Sequence, residues 1–191
     1  MVEPNDESIE LTMYIDYIEI DKQEQSLFNT NEINYFFDHT ERPIIKKIEN
    51  NTEQISLHYT KPVKELIIVF VNDNEQNKKR DLYQFLKIDN LEIKLNNIKL
   101  ETSNDETYHR ILQPYFHNRK VLHTSNIYMY SFAFDPDNAQ PTGSYNFGNL
   151  KSKELIIHGN NLKNEQPIVY IYANTNNVLK VSEGQSQVQF I

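Results

Sequence analysis

Residues 128–147 read YMYSFAFDPDNAQPTGSYNF and carry the clearest signal of fold class. Four aromatic side chains in the first half of this stretch are spaced by two, so all four would project from one face of a β-strand. They are Tyr128, Tyr130, Phe132 and Phe134. The spacing predicts a strand over residues 127–134 whose aromatic face packs in the core of a β-sandwich. A platform for stacking carbohydrate is the alternative that the same spacing leaves open.

Short apolar runs and polar breaks alternate along most of the chain, at intervals of roughly 8–12 residues, which is typical of an all-β sandwich or barrel. Asn96-Asn97 lies between two such runs and predicts a tight hairpin, because Asn tolerates a positive φ. The predicted strands cover residues 44–48, 54–59, 65–71, 91–95, 98–100, 127–134, 154–158, 168–173, 177–181 and 187–191.

The amino-terminal part has a different pattern. Residues 11–20 read LTMYIDYIEI and predict a strand with apolar side chains on both faces. Asp21 followed by Glu24 has the spacing of a helix capping box, so we expect one or two short helices within residues 21–37. A polar loop is predicted over residues 72–80 and a short helical turn over residues 107–112.

The 191 residues suit one domain, and we expect a single domain over residues 11–191 after an N-terminal segment, residues 1–10. The net charge of −8 argues against a nucleic-acid groove. The chain has no cysteine, which excludes disulfides and thiolate metal sites. It also has no stretch near the ~18 apolar residues of a membrane-spanning helix.

The sequence offers weak candidates for a chemical site. The run 78–80, KKR, is expected to be a solvated loop. The six histidines lack the spacing of metal ligands. They are His39, His58, His109, His117, His123 and His158. Residues 135–138, DPDN, could hold calcium, although Asx turns explain them more simply. With no catalytic motif present, we predict no enzyme, no catalytic or metal site and no cofactor.

Several stretches resemble, in the same order, the C-terminal half of the major capsid proteins of iridovirus-, phycodnavirus- and mimivirus-type large DNA viruses. The stretches run from about residue 11 to the end of the chain. They are residues 13–21 (MYIDYIEID), 62–67 (PVKELI), 113–115 (QPY), 130–133 (YSFA), 140–143 (QPTG), 146–147 (NF), 170–173 (YIYA) and 177–181 (NVLKV). Residues 13–21 look like the strand that opens the family's second jelly roll.

The resemblance implies an eight-stranded antiparallel jelly roll with short helices in the crossovers. It also implies a structural role in the virion, assembled in the host cytoplasm, in trimeric capsomers of an icosahedral shell. Family members carry two jelly rolls in one chain, so this sequence is expected to expose an apolar flank and to need a companion. The companion would be other capsid subunits or a separate N-terminal jelly-roll chain. We expect this chain to bind no nucleic acid and to have no membrane span. A free-standing module that binds carbohydrate, or a minor capsid protein, is the alternative, and an enzyme comes third.

Overall fold

The computed structural model describes residues 12–71, 86, 88–100, 105–118, 127–182 and 185–190. These residues form eleven strands. They are β1 Ile33–Thr40, β2 Ile44–Lys47, β3 Thr52–Ser56, β4 Pro62–Val71, β5 Asn90–Leu95, β6 Ile98–Lys99, β7 Ile127–Ser131, β8 Tyr145–Asn146, β9 Lys153–His158, β10 Ile168–Ser182 and β11 Gln185–Val188.

The strands form two antiparallel sheets. In sheet A, β4 lies between β10 and β7, β10 also pairs with β1, β2 and β11, and β4 with β8. Sheet B has the order β3-β9-β5-β6. Because β2, β4, β7 and β10 belong to one sheet and β3, β5, β6 and β9 to the other, the chain crosses repeatedly between sheets, as in a jelly roll. The predicted jelly roll is confirmed, although the described residues contain eleven strands rather than eight.

The core lies between the two sheets and is made by alternate side chains of both. Leu66, Ile68 and Phe70 of β4 face Leu155 and Ile157 of β9 across this core, and all five are fully buried. The rings of Phe70 and Tyr128 meet edge to face with centroids 5.4 Å apart. This packing follows the period of two in the strand sequences.

The predicted break between residues 173 and 177 is wrong, because β10 runs without interruption over Ile168–Ser182. Its pairing with β4 shifts register at Asn174/Thr175, because Asn174 pairs with Glu65 and Thr175 with Val63, which leaves Lys64 of β4 as the extra residue. Thr175 is fully buried and its hydroxyl donates to the carbonyl oxygen of His39, 2.8 Å away. The polar side chains thus take part in the sheet, whereas a loop was expected.

The predicted helix after Asp21 is confirmed as α1, Lys22–Thr30. The Asp21 carboxylate caps it by accepting from the backbone N–H groups of Gln23 and Glu24, each at 2.8 Å. The helical part of the stretch predicted over residues 21–37 ends at Thr30, since residues 33–37 begin β1 and pair with β10. The prediction of a strand over residues 11–20 is wrong. Residues 12–20 have no regular secondary structure and pair with no described strand.

The remaining local predictions are mostly confirmed. Asn96 and Asn97 turn the β5–β6 hairpin with φ of 52° and 65°. The predicted helical turn is a π-helix, Tyr108–Leu112, which continues into α2, Gln113–His117, past Pro114. A 3₁₀ turn, Phe147–Asn149, and a short helix α3, Leu162–Glu165, complete the described elements. The loop predicted over residues 72–80 lies outside the described residues.

Candidate assembly interface

The outer face of sheet A, which points away from the core, is apolar across its width. Strand pairing aligns Ile45 with Tyr170, Tyr170 with Val69, and Val69 with Ile127, so one row of apolar side chains crosses β2, β10, β4 and β7. Directly opposed residues on one face lie about 4.5–5.5 Å apart, so each row is a continuous strip of contacts.

Two further rows lie on either side of this one. Tyr172, Ile67 and Met129 form the first, and Ile168 and Val71 form the second, next to Lys47 of β2. We call the three rows together the apolar face. Its members are Ile45, Ile67, Val69, Val71, Ile127, Met129, Ile168, Tyr170 and Tyr172.

The apolar face is partly exposed. Ile45 is 58% exposed and Ile127 is 36% exposed, at opposite ends of the central row. Tyr170 and Val69 between them are half-buried, and so is Ile67 in the neighbouring row. A contiguous apolar patch on a sheet is a mark of a protein interaction surface, whereas scattered single apolar residues are normal.

The outer face of sheet B is polar by contrast. Its rows read Gln54, Ile156 and Glu92, then Ser56, Glu154, Lys94 and Lys99, and finally Thr52, His158 and Asn90. The Lys99 ammonium lies 2.9 Å from the Glu92 carboxylate, and this hydrogen bond lowers the pKa of Glu92 below its usual range. Polar and charged side chains are mostly found exposed to solvent, so the outer face of sheet B has the composition of a solvated surface.

Polar groups close one end of the apolar face. Glu65 is 4% exposed and accepts from the Asn174 amide at 2.6 Å. Lys64, 5% exposed, donates to the carbonyl oxygen of Pro136 at 2.6 Å and pairs with Asp38 at 2.7 Å. These contacts tie β4 to β1, β10 and the loop after β7, and they satisfy two buried charges within the chain.

The π-helix and α2 cover the free edge of β7. His109 is 1% exposed, and its Nδ1 lies 3.3 Å from the carbonyl oxygen of Met129. The Gln113 side-chain oxygen accepts from the N–H of Ser131 at 3.0 Å. His109 Nε2 also lies 3.0 Å from the carbonyl oxygen of Leu91 in sheet B. These side chains take up backbone groups that an open edge would offer to another strand, which directs association towards the face of sheet A.

The aromatic run of residues 128–134 is divided by the structure. The strand ends at Ser131 because the N–H groups of Phe132 and Ala133 both turn to the carbonyl oxygen of Lys64. Tyr128 is fully buried, and Tyr130 and Phe132 pack against the core, but Phe134 is 82% exposed. The buried rings are not available to stack carbohydrate, so the core interpretation of the run holds for three of the four residues.

The other candidate residues do not converge on a site. No group of three or more His, Asp or Glu side chains within the described ranges could hold a metal ion. Of residues 135–138, Asn138 accepts from the N–H of Gln140 at 3.0 Å, which is an Asx turn, and Asp137 accepts from Asn118 at 3.4 Å. His123 and the basic run 78–80 lie outside the described residues. In the part of the chain that is described, no helix is long and apolar enough to cross a membrane.

The resemblance predicts an exposed apolar flank, but the residues of the apolar face were not identified from the sequence, although one signal for them is present. Residues 65–71 read ELIIVFV, an apolar run without alternation after its first residue. Such runs are typical of strands buried on both faces. The run alone does not show which neighbouring side chains share the outer face, because that depends on the register of β10 and β7.

A jelly roll with a polar outer face on one sheet and an apolar outer face on the other has one outer surface suited to solvent and one suited to contact with another protein. The family model described as large eukaryotic DNA virus major capsid protein matches residues 24–186. The chain belongs to this family.

Individual relatives agree with the family match. The major capsid protein of Pyramimonas orientalis virus is 25% identical over 200 residues, which cover 93% of this chain and 48% of that protein. The major capsid protein of Chrysochromulina ericina virus is 29% identical over 101 residues, 51% of this chain and 17% of that protein. The chain thus spans about half the length, or less, of the curated relatives that it matches.

Solved structures show the same fold. The capsid of the virus PBCV-1 superposes with a TM-score of 0.74 and 18% identity over 90% of this chain and 55% of that chain. The Faustovirus major capsid protein superposes with a TM-score of 0.67 and 11% identity. This match covers 85% of this chain and 36% of that chain. The predicted resemblance is confirmed, and a structural capsid role is what the family membership supports.

Proposed function

We propose that this chain is a jelly-roll building block of an icosahedral viral capsid and that it acts by burying the apolar face of sheet A against a companion jelly roll. The function is mechanical, and the residues that carry it are the side chains of the three rows. The proposal places the chain in the virion, after assembly in the host cytoplasm.

The central row is the observation that carries the proposal. Ile45, Tyr170, Val69 and Ile127 cross four strands without a charged residue. The matching central row of sheet B contains Gln54 and Glu92, so the two outer faces differ in kind. Interfaces of obligate assemblies resemble a domain core cut in half and often exceed ~2,000 Å². The apolar face has the composition of such a core.

The companion follows from the length of the relatives. The match covers 55% of the PBCV-1 capsid chain, so nearly half of that chain lies outside the matched part. We infer that here the companion is another capsid subunit, in trimeric, pseudo-hexameric capsomers. A separate N-terminal jelly-roll chain that packs against the same face is the alternative companion. The single domain over residues 11–191 stays a prediction.

The mass of the purified chain in solution, measured by light scattering at several concentrations, tests the proposal. We expect assemblies that grow with concentration. Two variants are made separately, Ile45→Lys and Ile127→Lys. Each should weaken association strongly, because the interface would bury an ammonium group that has no opposite charge beside it. Both positions are exposed in the single chain, so folding should be preserved.

Gln54→Lys is the matched control, since it adds the same charge to an exposed position on the outer face of sheet B. It should assemble like the wild-type chain, and all three variants should keep the wild-type melting temperature within a few degrees. A strictly monomeric wild-type chain would contradict self-association. Equal loss of assembly in Gln54→Lys and Ile45→Lys would show that charge, rather than the apolar face, governs it.

A further inference from the structure

Residues 12–20 form a second apolar surface, separate from the apolar face. The segment reads TMYIDYIEI, and every one of its residues is exposed. Met13 is 82% exposed, Tyr14 91%, Tyr17 87% and Ile18 87%. No hydrogen bond, ion pair or strand pairing joins the segment to another part of the described chain. A stretch with the composition of a two-sided strand is thus left without a sheet.

The connection to the jelly roll keeps the segment away from the sheets. The Asp21 cap fixes the start of α1 directly after Ile20, and α1 continues to Thr30. A nine-residue helix is about 13 Å long, whereas paired strands lie about 4.8 Å apart. The helix α1 therefore separates the C-terminal end of residues 12–20 from the start of β1, and the Asp21 cap fixes this separation.

The strand that follows α1 has an open edge. β1 pairs with β10 over all eight of its residues, and β10 is its partner among the described strands. Its sequence, INYFFDHT, contains neither Lys nor Pro, which are the residues that usually protect an edge. The carboxylate of Asp38 is paired with Lys64 at 2.7 Å. Phe36 is 52% exposed and Tyr35 48%, so the edge is apolar as well as unpaired.

We propose that residues 12–20 of one copy add as a strand to the outer edge of β1 in a neighbouring copy. The proposal rests on the capsid function above and specifies a second contact of the same assembly. The lengths match, nine residues against the eight of β1. Backbone hydrogen bonds would join the two strands, and the apolar side chains of the segment would lie beside Tyr35, Phe36 and Phe37.

The symmetry of such a contact agrees with a trimeric capsomer. The donated segment and the accepting edge are different surfaces of one chain, so the contact is head-to-tail. Head-to-tail contacts close into rings when the rotation between neighbours allows it. A ring in which each copy donates to the next leaves no segment and no β1 edge unpaired.

Proline substitution separates strand pairing from simple apolar contact. Tyr17→Pro and Ile18→Pro are made separately, because alternate residues of a strand direct their N–H groups towards one neighbour. Tyr17→Ala and Ile18→Ala are the matched controls, since they remove the same side chains and keep the N–H groups. In light scattering, we expect at least one proline variant to raise the apparent dissociation constant by about tenfold or more over its alanine control. The melting temperature of each dilute, monomeric variant should not change, because Tyr17 and Ile18 are each 87% exposed in the single chain.

Disulfide trapping locates the accepting strand, and the chain is suited to it because it has no cysteine. Tyr17→Cys chains are mixed with Phe36→Cys or with Phe37→Cys chains, and each mixture is oxidised during assembly. A covalent pair of unlike chains in at least one mixture is expected, since paired strands bring Cα atoms within the disulfide range of about 4.4–6.8 Å. Mixtures of Tyr17→Cys with Gln54→Cys chains should stay unlinked.

The outcomes distinguish this contact from the proposed function. Assembly that is lost in Ile45→Lys, while proline and alanine variants associate equally and no mixed disulfide forms, overturns strand donation and leaves the capsid interface standing. A wild-type chain that does not associate at any concentration overturns both. A proline effect together with the mixed disulfide supports strand addition to β1.

Discussion

His109 is expected to stabilise the contact between the two sheets at the edge of β7, where its neutral ring donates its one N–H to one of two backbone carbonyl oxygens and packs against the other. Its ring lies between the carbonyl oxygens of Met129 in sheet A and Leu91 in sheet B, at 3.3 and 3.0 Å. The change to test is His109→Ala. A buried carbonyl left without a donor costs about 1–3 kcal/mol, and the cavity left by the ring adds about 1–2 kcal/mol. We therefore expect a loss of about 2–5 kcal/mol in the free energy of unfolding.

The assay is urea unfolding at neutral pH with His58→Ala as the control. His58 is exposed, so its replacement should change the free energy of unfolding by no more than about 0.5 kcal/mol. A loss below about 1 kcal/mol in His109→Ala would refute the bridging role. So would an equal loss in both variants.

The same residue gives the folded chain a defined pH dependence. Burial lowers the pKa of His109 below its usual value near 6.5, so the folded chain resists protonation there. Above pH ~6.5 the ring is neutral in both states and the stability is fully present. As the pH falls below ~6.5 the unfolded chain takes up the proton first, and stability is lost by up to ~1.4 kcal/mol per pH unit until the lowered folded pKa is reached. His109→Ala should remove this part of the slope, and an unchanged slope would contradict the lowered pKa.

Four further predictions concern single side chains. Tyr128→Phe should lower the free energy of unfolding by about 1–2 kcal/mol in urea titrations, because the buried hydroxyl donates to the carbonyl oxygen of Leu86 at 2.9 Å; no loss would mean that this bond adds nothing. Asn96→Ala should cost about 1–2 kcal/mol, since the Asn96 side chain accepts from the N–H of Lys151 at 2.8 Å and its φ is 52°. Asn97→Gly at the neighbouring turn position, φ 65°, should be neutral or stabilising, and a cost as large as that of Asn96→Ala would contradict this account of the turn. Gln166→Gly should raise the melting temperature slightly, because Gln166 ends α3 with φ 44°, and a lower melting temperature would show that its side chain matters more than its backbone.

Features that depend on neighbouring residues in the chain were predictable from sequence. The Asp21 cap, the Asn96-Asn97 turn and most strands follow from local spacing, and the ordered resemblance over most of the chain led to the family. The predicted strand over residues 11–20 failed for a physical reason. Its composition suits a strand, but a strand also needs a neighbour to satisfy its backbone groups, and the described part of the chain supplies none to residues 12–20.

Features that depend on register were not predictable. Val69 and Tyr170 are far apart in sequence, and they share the apolar face because β4 and β10 pair in one particular alignment. The role of His109 is similar, since it contacts two carbonyl groups from different sheets. The exposed Phe134 was misplaced because the strand ends at a backbone contact to Lys64 that no periodicity reveals.

Hydroxyl-radical footprinting of the wild-type chain, dilute and then assembled, tests most directly which face of the jelly roll is buried. If the apolar face is the buried one, Ile45, Tyr170 and Tyr172 lose most of their reactivity on assembly. His58 and Ile98, which are exposed and belong to the side of sheet B, should keep theirs. Protection of His58 and Ile98 with unchanged reactivity at Ile45 and Tyr170 would show that the capsid contact lies on the other sheet.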